Sequence, residues 1–304
     1  MAWLHENKEE FRNAVLFTAE QSRLAPVAVE KDYYATLILK GLEERLPFIV
    51  FKGGTSLSKC HKVIDRFSED IDVTIEKKLS QGQMGKVKDA IEAVAEEMGI
   101  TIPNIEETRS RRSYNKYLLA YETVIEKLNE ELQPSVILET SFAEISFPTV
   151  ILPVHSYVGD MMETEAPEMV ESYGLLPFEM KVQGIDRTMI DKVFAICDYY
   201  MKGDVRRHSR HIYDIYKLLP LIPLDDVFDN LVKEVREVRA KNGSICHSAQ
   251  PGVNVPEVLM EIVDKEIYRS DYESVTSRIL VEQIPYDVVI EAVKEIAESG
   301  KFEE

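Results

Sequence analysis

Two acidic residues, Asp70 and Asp72, stand two positions apart in a stretch whose polar and apolar residues alternate. The alternation over residues 70–75 predicts a β-strand, in which residues i and i+2 point to the same face. Carboxylates held side by side repel each other unless cations lie between them. A pair of Mg²⁺ ions about 3.5–4 Å apart is the usual reason for such an arrangement. The spacing therefore predicts a two-metal Mg²⁺ site.

A small-residue segment, Gly-Gly-Thr-Ser at 53–56, follows an apolar run and precedes the two acids. Glycine has no Cβ, so the backbone N–H groups of such a loop can approach a phosphate closely. A short helix predicted over 56–63 would direct its positive N-terminal end at the same anion. A phosphate-binding loop, joined by one short helix to a metal-binding carboxylate pair, predicts a nucleotidyl-transfer site.

The stretch 51–76 resembles the nucleotidyltransferases of DNA polymerase β type, whose signature is a hydrophobic residue, Gly-Gly or Gly-Ser, a gap, and Asp-x-Asp. More narrowly, the segments KGGTSL at 52–57 and RFSEDID at 66–72 resemble the AbiEii/AbiGii toxin family. Members of that family are the toxin halves of toxin–antitoxin and phage-abortive-infection pairs. The resemblance implies Mg²⁺ bound by Asp70 and Asp72, and an NTP bound by Lys52, Gly53, Gly54, Thr55, Ser56 and Ser68.

A third carboxylate is expected from a neighbouring strand, because polymerase-β-type sites take one from there. The segment 135–142 is predicted to be that strand, and its Glu139 shares a face with Ile137 and Ser141. The resemblance therefore implies that Glu139, which stands among apolar residues, completes the metal site. Glu144 is the alternative.

A lysine and an aspartate further along the chain are expected to face each other. Helices are predicted over 186–203 and 206–219, and two helices joined by a tight turn lie antiparallel. Lys192 and Asp214 each stand eleven residues from Gly203, so they should lie at the same level. In the toxin family, a Lys on one helix and an Asp on the next, preceded by an Arg, complete the active site. The resemblance implies that Lys192 contacts the triphosphate and that Asp214 orients it or activates the acceptor. The alternative is an ordinary ion pair of Arg210 with Asp214.

The segment Glu30-Lys31-Asp32-Tyr33 resembles a motif that recurs in the family before the diglycine loop. The helix predicted over 26–42 contains it. Its residues suggest no chemical role by themselves, and an exposed charge pair on a packed helix is the alternative interpretation.

The elements around these residues predict an α+β fold, with a mixed polymerase-β-type sheet flanked by helices. We expect a catalytic domain at 1–177 and a helical domain at 178–304 that contributes Lys192 and Asp214 to the cleft. Prolines and Gly174 punctuate 143–177, which is predicted to be loops with short elements. The remaining predicted helices cover 5–20, 83–98, 225–240, 256–268 and 286–297, and the remaining strands cover 46–52 and 114–124.

Composition limits the class of protein. The charged fraction of 30% and hydrophobic fraction of 45% are typical of a soluble globular protein. The start MAWLHENKEEF does not resemble a signal peptide, and no apolar run approaches the roughly 20 residues of a membrane span. The three cysteines lack CxxC spacing, which is typical of a reducing compartment. We therefore expect a cytoplasmic protein that does not associate with membranes.

The net charge of −18 disfavours non-specific binding of nucleic acid over a wide surface. Any RNA contact is expected to come from a local basic patch. The candidate RNA-binding residues are Arg206, Arg207 and Arg210, near His208 and His211. The alternative patch consists of Arg109, Arg111, Arg112 and Lys116.

Some relatives transfer nucleotides to the 3′ end of tRNA, and others are described as GTP-binding. The resemblance implies transfer of a nucleoside monophosphate from an NTP to an acceptor hydroxyl, with tRNA as the preferred acceptor and pyrophosphate as the leaving group. It also implies an antitoxin protein encoded nearby. The alternatives are nucleotidylation of a protein or small-molecule hydroxyl, which the acidic net charge favours, and a GTP-binding toxin without turnover.

Two other motifs fail on their spacing or surroundings. A Walker A loop is excluded because Lys59 is not preceded by glycine. The spacing His208-x-x-His211-x-x-Asp214 is compatible with zinc, but the basic neighbours would repel a cation and no HExxH or CxxC accompanies it.

Overall fold

The computed structural model describes residues 2–68, 70–126 and 133–303, without the side chain of Glu144. Glu69 of the predicted motif lies outside the described residues. The chain divides into two compact units. The first unit contains Met1–Cys60 and Ser68–Val182, and the second contains His61–Phe67 and Gln183–Glu304.

The first unit is built on a six-stranded mixed sheet with the order β3-β4-β2-β1-β6-β5. Strand β1 is antiparallel to β2 and parallel to β6, whereas β2 is parallel to β4 and β4 antiparallel to β3. This arrangement confirms the predicted α+β class with a mixed sheet. The strands are β1 (Ile49–Lys52), β2 (Ile71–Ile75), β3 (Tyr114–Ala120), β4 (Ser135–Ile145), β5 (Thr149–Val154) and β6 (Phe178–Gln183).

Helices of the first unit begin at residues that favour a helix start. Pro26 occupies the first turn of its helix, where its missing N–H costs nothing. Ser80 and Gln83 form a capping box, in which each side chain accepts from the backbone N–H of the other. The helices are α1 (Lys8–Ser22), α2 (Pro26–Arg45), α3 (Gly53–Lys59), α4 (Gln81–Glu97), α5 (Tyr157–Glu165) and α6 (Pro167–Ser172).

The core of the first unit lies between the sheet and α2 and α4. Ile71, Val73 and Ile75 of β2 are all buried, as the alternation predicted. Gly41 of α2 allows a close approach of α4, because a Cβ at this position would lie 2.9 Å from a methyl group of Val94. Burial of one face of β2 leaves its other face for Asp72.

The second unit is helical among its described residues. Helix α7 ends at Gly203, whose φ of +71° is the left-handed conformation that glycine favours at a helix end. Its apolar face buries Val193 and Phe194, and α8 buries Ile212 and Ile215. The helices are α7 (Ile185–Lys202), α8 (Arg210–Leu218), α9 (Asp226–Ala240), α10 (Val255–Asp264), α11 (Arg269–Ser274) and α12 (Tyr286–Glu298).

Single 3-10 turns occur at Leu4–Glu6, Ile105–Glu107, Leu219–Leu221 and Thr276–Ile279. Within the part of the chain that the structure describes, every helix is too short or too polar to cross a bilayer.

Two stretches differ from the prediction. The stretch 143–177, expected to be loops with short elements, contains the end of β4, all of β5, and helices α5 and α6. Its prolines were misleading, because Pro167 opens a helix and Pro153 lies in a strand at the edge of the sheet, where a missing N–H is tolerated. The Gly-Gly segment is also not a separate turn, since α3 begins at Gly53 rather than at residue 56.

Candidate active site

A row of four charged residues crosses four neighbouring strands of the sheet. Asp72 of β2 is in register with Lys52 of β1 on one side and with Glu139 of β4 on the other. Glu139 is in turn opposite Lys116 of β3, and its carboxylate lies 3.5 Å from the Lys116 ammonium group. Directly opposite residues point to the same face. The structure therefore brings Asp72 and Glu139 together, with a lysine at each end of the row.

Tyr114 of β3 lies beside this row, and the sequence had not indicated it. Burial, and then the charges of Glu139, Asp72 and Asp70, raise the pKa of Tyr114 to about 12. Its hydroxyl hydrogen-bonds to Glu139. The charges of all three predicted metal-binding carboxylates thus contribute to the shift of one hydroxyl group.

Gly53 brings the backbone of the loop close to Asp72. Its φ is +80°, and a Cβ added there would lie 2.2 Å from an Asp72 carboxylate oxygen. A side chain cannot occupy that space without displacing the carboxylate. The glycine is therefore required by contact with the acid as well as by backbone conformation.

Two hydroxyl groups, of Thr55 and Ser68, link the glycine segment to the start of β2, and a third, of Ser56, bonds within the segment. Thr55 is buried, and its hydroxyl donates to the Asp70 carbonyl at 2.5 Å. A hydroxyl has one hydrogen to donate, so the Ser68 hydroxyl, 2.9 Å away, is the donor to Thr55. The Ser56 hydroxyl is fully buried and donates to the Gly53 carbonyl at 2.9 Å. These three predicted nucleotide-binding side chains position the loop relative to Asp70.

The Glu30-Lys31-Asp32 segment is structural, and its interpretation as an exposed charge pair was wrong. Glu30 and Lys31 are both buried on α2. The Glu30 carboxylate accepts hydrogen bonds from the Thr123 hydroxyl at 2.6 Å and the Val124 N–H at 2.8 Å. Burial raises the pKa of Glu30 although these bonds oppose the shift. Glu30 thereby fixes the chain that follows β3.

Asp32 anchors helix α3, which starts in the glycine loop. The Lys59 ammonium group at the end of α3 lies 2.5 Å from the Asp32 carboxylate, and both side chains are largely buried. Lys59 also donates to the Thr36 hydroxyl and the His155 carbonyl. The Asp32 carboxylate in addition accepts from the Tyr157 N–H. Asp32 and Lys59 thus join α2, α3 and the start of α5.

In the second unit, Lys192 and Arg66 share one carboxylate. The Lys192 ammonium nitrogen lies 2.5 Å from Asp214 Oδ2. Arg66 binds the same carboxylate with two N–H groups, at 2.6 and 2.7 Å. All three side chains are buried, and Asp214 is completely so. The two helices therefore do place Lys192 and Asp214 face to face. Arg66, rather than Arg210, is the arginine that forms the ion pair with Asp214.

The segment that carries Arg66 is fixed by backbone bonds within the second unit. Arg66 forms a β-bridge with Leu280, and the Phe67 N–H donates to the Ile279 carbonyl at 2.8 Å. The Asp65 N–H donates to the Tyr213 hydroxyl at 3.1 Å. These bonds hold the backbone of the segment from which the Arg66 guanidinium group reaches Asp214.

The buried cluster of Arg66, Lys192 and Asp214 carries more positive than negative charge. Burial alone would raise the pKa of Asp214, but Arg66 and Lys192 hold it well below its usual value. Burial lowers the pKa of Lys192 although Asp214 opposes that shift. With both side chains charged, two cations against one carboxylate leave a net charge of +1. Both Asp214 oxygens accept hydrogen bonds from these cations.

The predicted RNA-binding arginines lie at the turn between α7 and α8. Arg206 and Arg207 are exposed and Arg210 is partly buried. The zinc alternative at His208, His211 and Asp214 is not supported, because Arg66 and Lys192 occupy the Asp214 carboxylate. The other basic patch, at 109–112 with Lys116, is exposed and precedes or lies on β3.

Another group of potential metal ligands is held together by its own hydrogen bonds. His155, Asp160 and Glu163 are, within the described ranges, the one set of three His, Cys or acidic side chains whose ligand atoms all lie within 4.8 Å of one another. The His155 ring nitrogens contact the Asp160 carboxylate and the Leu175 carbonyl, each at 2.7 Å. Both nitrogens face an acceptor, which suits an imidazolium ring. The carboxylate oxygens of Asp70, Asp72 and Glu139 do not all lie within 4.8 Å of one another.

A mixed sheet with paired carboxylates on one face, close to a glycine loop, defines a nucleotidyltransferase. The family profile described as nucleotidyl transferase AbiEii toxin, type IV toxin–antitoxin system, matches residues 34–298. The chain belongs to this family of nucleotidyltransferase toxins.

Among solved structures, the chain is similar to MenT4, the nucleotidyltransferase toxin Rv2826c from Mycobacterium tuberculosis H37Rv. The TM-score is 0.50 at 17% sequence identity, and the match covers 95% of this chain and 88% of MenT4. At this identity the likeness shows a shared fold. No curated protein matches the sequence.

Proposed function

We propose that this protein transfers a nucleoside monophosphate from an NTP to an acceptor hydroxyl, releasing pyrophosphate. The observation that carries the proposal is the register of Asp72 with Glu139, beside a glycine whose missing Cβ gives the backbone access to Asp72. Family membership supports the reaction class. The preferred acceptor is the 3′ end of tRNA.

Three acidic residues are proposed to hold Mg²⁺. Asp70, Asp72 and Glu139 offer carboxylate oxygens, the ligands that Mg²⁺ prefers, and their charges add to the effect of burial in raising the pKa of Tyr114. When bound by these three residues, two Mg²⁺ ions would stabilise charge at the α-phosphate and lower the pKa of the attacking hydroxyl.

The glycine loop is proposed to bind the β- and γ-phosphates through the backbone of Gly53 and Gly54. Lys52, in register with Asp72, adds a positive charge at the same edge of the acidic row. Thr55, Ser56 and Ser68 act through their hydrogen bonds, which fix the loop and the start of β2. This division of roles leaves backbone N–H groups as the donors that contact the phosphates.

Lys192 is proposed to neutralise charge that develops on the triphosphate. The net positive charge of the buried cluster supports this role. Lys192 shares the Asp214 carboxylate with Arg66, so it can still attract an anion. Arg66 and Asp214 are positioning residues for Lys192. In the chain, Arg66 precedes Asp70 by four residues.

The acceptor and the partners are inferred from charge and family. The exposed Arg206 and Arg207, with Arg210, are the proposed RNA contacts on a protein of net charge −18. Membership of a toxin family of type IV toxin–antitoxin systems implies that this protein has an antitoxin partner. Cys60, Cys197 and Cys246 are buried and lack CxxC spacing, which supports a reducing, cytoplasmic location.

A second candidate is nucleotidylation of a protein or small-molecule hydroxyl, which the acidic net charge favours. The third is nucleotide binding without turnover, for example of GTP. Incubation with each α-labelled NTP, Mg²⁺ and total RNA separates the three. Label in RNA supports the proposal, label in protein or a small molecule supports the second candidate, and no label supports the third. The Asp72→Asn variant is the control. Any label that also appears with this variant does not depend on the proposed site.

A further inference from the structure

Three aromatic rings lie parallel at the turn between α7 and α8. The ring centroids of Tyr199 and His208 are 3.4 Å apart, and their planes differ by 8°. The His211 ring lies 6.0 Å from Tyr199 and 6.1 Å from His208, within 5° of both planes. All three side chains are partly exposed. The apolar packing of this hairpin is supplied by fully buried residues such as Ile212, so the rings are not needed as core.

The loop that presents His208 is fixed by Asp271. This carboxylate, from α11, accepts bonds from the Arg207 N–H at 2.7 Å, the Ser209 N–H at 3.1 Å and the Ser209 hydroxyl at 2.6 Å. Arg207 has a φ of +67°, a conformation that residues other than glycine rarely adopt. Asp271 is therefore a positioning residue: it holds an unfavourable loop conformation in which His208 stacks on Tyr199.

The surroundings of both histidines favour the neutral imidazole. Burial, and then the charge of Arg210, lower the pKa of His208. Burial and the charges of Lys192 and Arg210 hold the pKa of His211 well below its usual value. Within the described residues, the Nδ1 atoms of both rings are buried and have no hydrogen-bond partner. Neutral imidazoles do not repel the adjacent arginines.

We infer that Tyr199, His208 and His211 form a stacking surface for an unpaired nucleobase, and that Arg206, Arg207 or Arg210 bind the phosphates of the strand when the base belongs to RNA. Aromatic rings beside a positively charged surface bind single-stranded nucleic acid because every base has a π face. The inference rests on the proposed function and adds the ring surface to it. The base belongs either to the acceptor strand or to the NTP, and binding measurements separate these two sources.

The test measures binding without turnover. A fluorescein-labelled single-stranded RNA is titrated with the full-length protein without NTP, and a non-cleavable α,β-methylene NTP is titrated separately. Tyr199→Leu or His208→Leu should weaken one of these ligands about tenfold or more, as loss of one base-stacking contact does. Weakened RNA binding assigns the surface to the acceptor strand, and weakened NTP binding assigns it to the donor.

Matched variants separate ring stacking from general damage. Tyr199→Phe keeps the ring and should bind as the wild type does. Tyr200→Leu, which removes a ring from the next position of α7, should also bind normally. Arg206→Ala should flatten the dependence of log K on log salt, whereas Tyr199→Leu should leave that slope unchanged. Thermal melts verify that each variant is folded.

The inference is overturned if Tyr199→Leu and His208→Leu, both folded, bind RNA and the NTP analogue as tightly as the wild type. It is also overturned if Tyr199→Phe loses as much as Tyr199→Leu. The proposed function is tested separately by label transfer. A protein that transfers no label, yet loses RNA affinity with these rings, would refute the proposed reaction and leave this inference standing.

Discussion

The Lys192 ammonium group and the Asp214 carboxylate lie 2.5 Å apart in the interior of the second unit, and Arg66 holds the same carboxylate from its other side. The carboxylate is the shared counter-ion of two buried cations. Removing it has a different consequence from removing either cation, and this difference gives two predictions.

Asp214→Asn should strongly destabilise the protein, because it leaves Arg66 and Lys192 buried together without a counter-charge. Breaking a buried ion pair in this way costs about 3–5 kcal/mol of unfolding free energy. Urea titration of the wild type and the variant measures the difference. A variant as stable as the wild type would show that the cluster is not buried as described.

Lys192→Met should lower stability less than Asp214→Asn does, and it should lower activity severely. The Arg66–Asp214 pair remains bidentate and electrically balanced, so the loss of unfolding free energy should be smaller than for Asp214→Asn. If Lys192 contacts the triphosphate, label transfer should nevertheless be abolished. Full transfer by this variant would remove Lys192 from the mechanism.

Strand β2 and the pairing of helices α7 and α8 could be predicted from the sequence, whereas the start of α3 could not. Alternation identified β2, and equal distances from Gly203 correctly placed Lys192 opposite Asp214. The identity of the arginine could not be predicted. Arg210 has helical i,i+4 spacing to Asp214, whereas Arg66 is 148 residues away and meets it through tertiary structure. Tyr114 was missed for the same reason, since its contact with Glu139 depends on the β3–β4 register.

Gly53→Ala should impair the loop far more than an ordinary glycine substitution. The new Cβ would collide with Asp72, and the positive φ of the residue disfavours any side chain. A loss of at least about 1 kcal/mol in stability is expected where Ala meets a positive φ, together with loss of transfer. Gly82→Ala is the matched control, because its nearest neighbour would be the Ser80 hydroxyl at 3.9 Å. Equal behaviour of the two variants would contradict the close contact.

The Asp32–Lys59 ion pair should be energetically coupled and should support α3. Asp32→Asn or Lys59→Met alone leaves one buried partner without its counter-charge, at a cost of about 3–5 kcal/mol. The double variant should cost less than the sum of the single variants, with a coupling of about 0.5–3 kcal/mol. Unfolding free energies of the four proteins complete the cycle. Strict additivity would mean that the contact contributes nothing.

His155 should make stability depend on pH. Burial alone would lower its pKa, but the hydrogen bond and charge of Asp160 raise it above 6.5. A group whose pKa is higher in the folded state stabilises it fully below its unfolded pKa, and this contribution is lost as pH rises through the folded value. Stability should therefore fall as the pH rises above about 6.5, by up to about 1.4 kcal/mol per pH unit. The fall should be shallower in His155→Gln, and an equal slope in both proteins would contradict this assignment.

The most direct test measures transfer of the α-labelled nucleoside monophosphate from an NTP. It compares the Asp72→Asn variant with the Glu76→Gln variant. Both changes convert a carboxylate to an amide in or next to β2, but Glu76 pairs with Lys181 and lies outside the acidic row. We expect Asp72→Asn to lower the transfer rate by roughly a hundredfold or more, as loss of a transition-state contact does, and Glu76→Gln to retain it. Wild-type transfer by a folded Asp72→Asn protein would contradict the account.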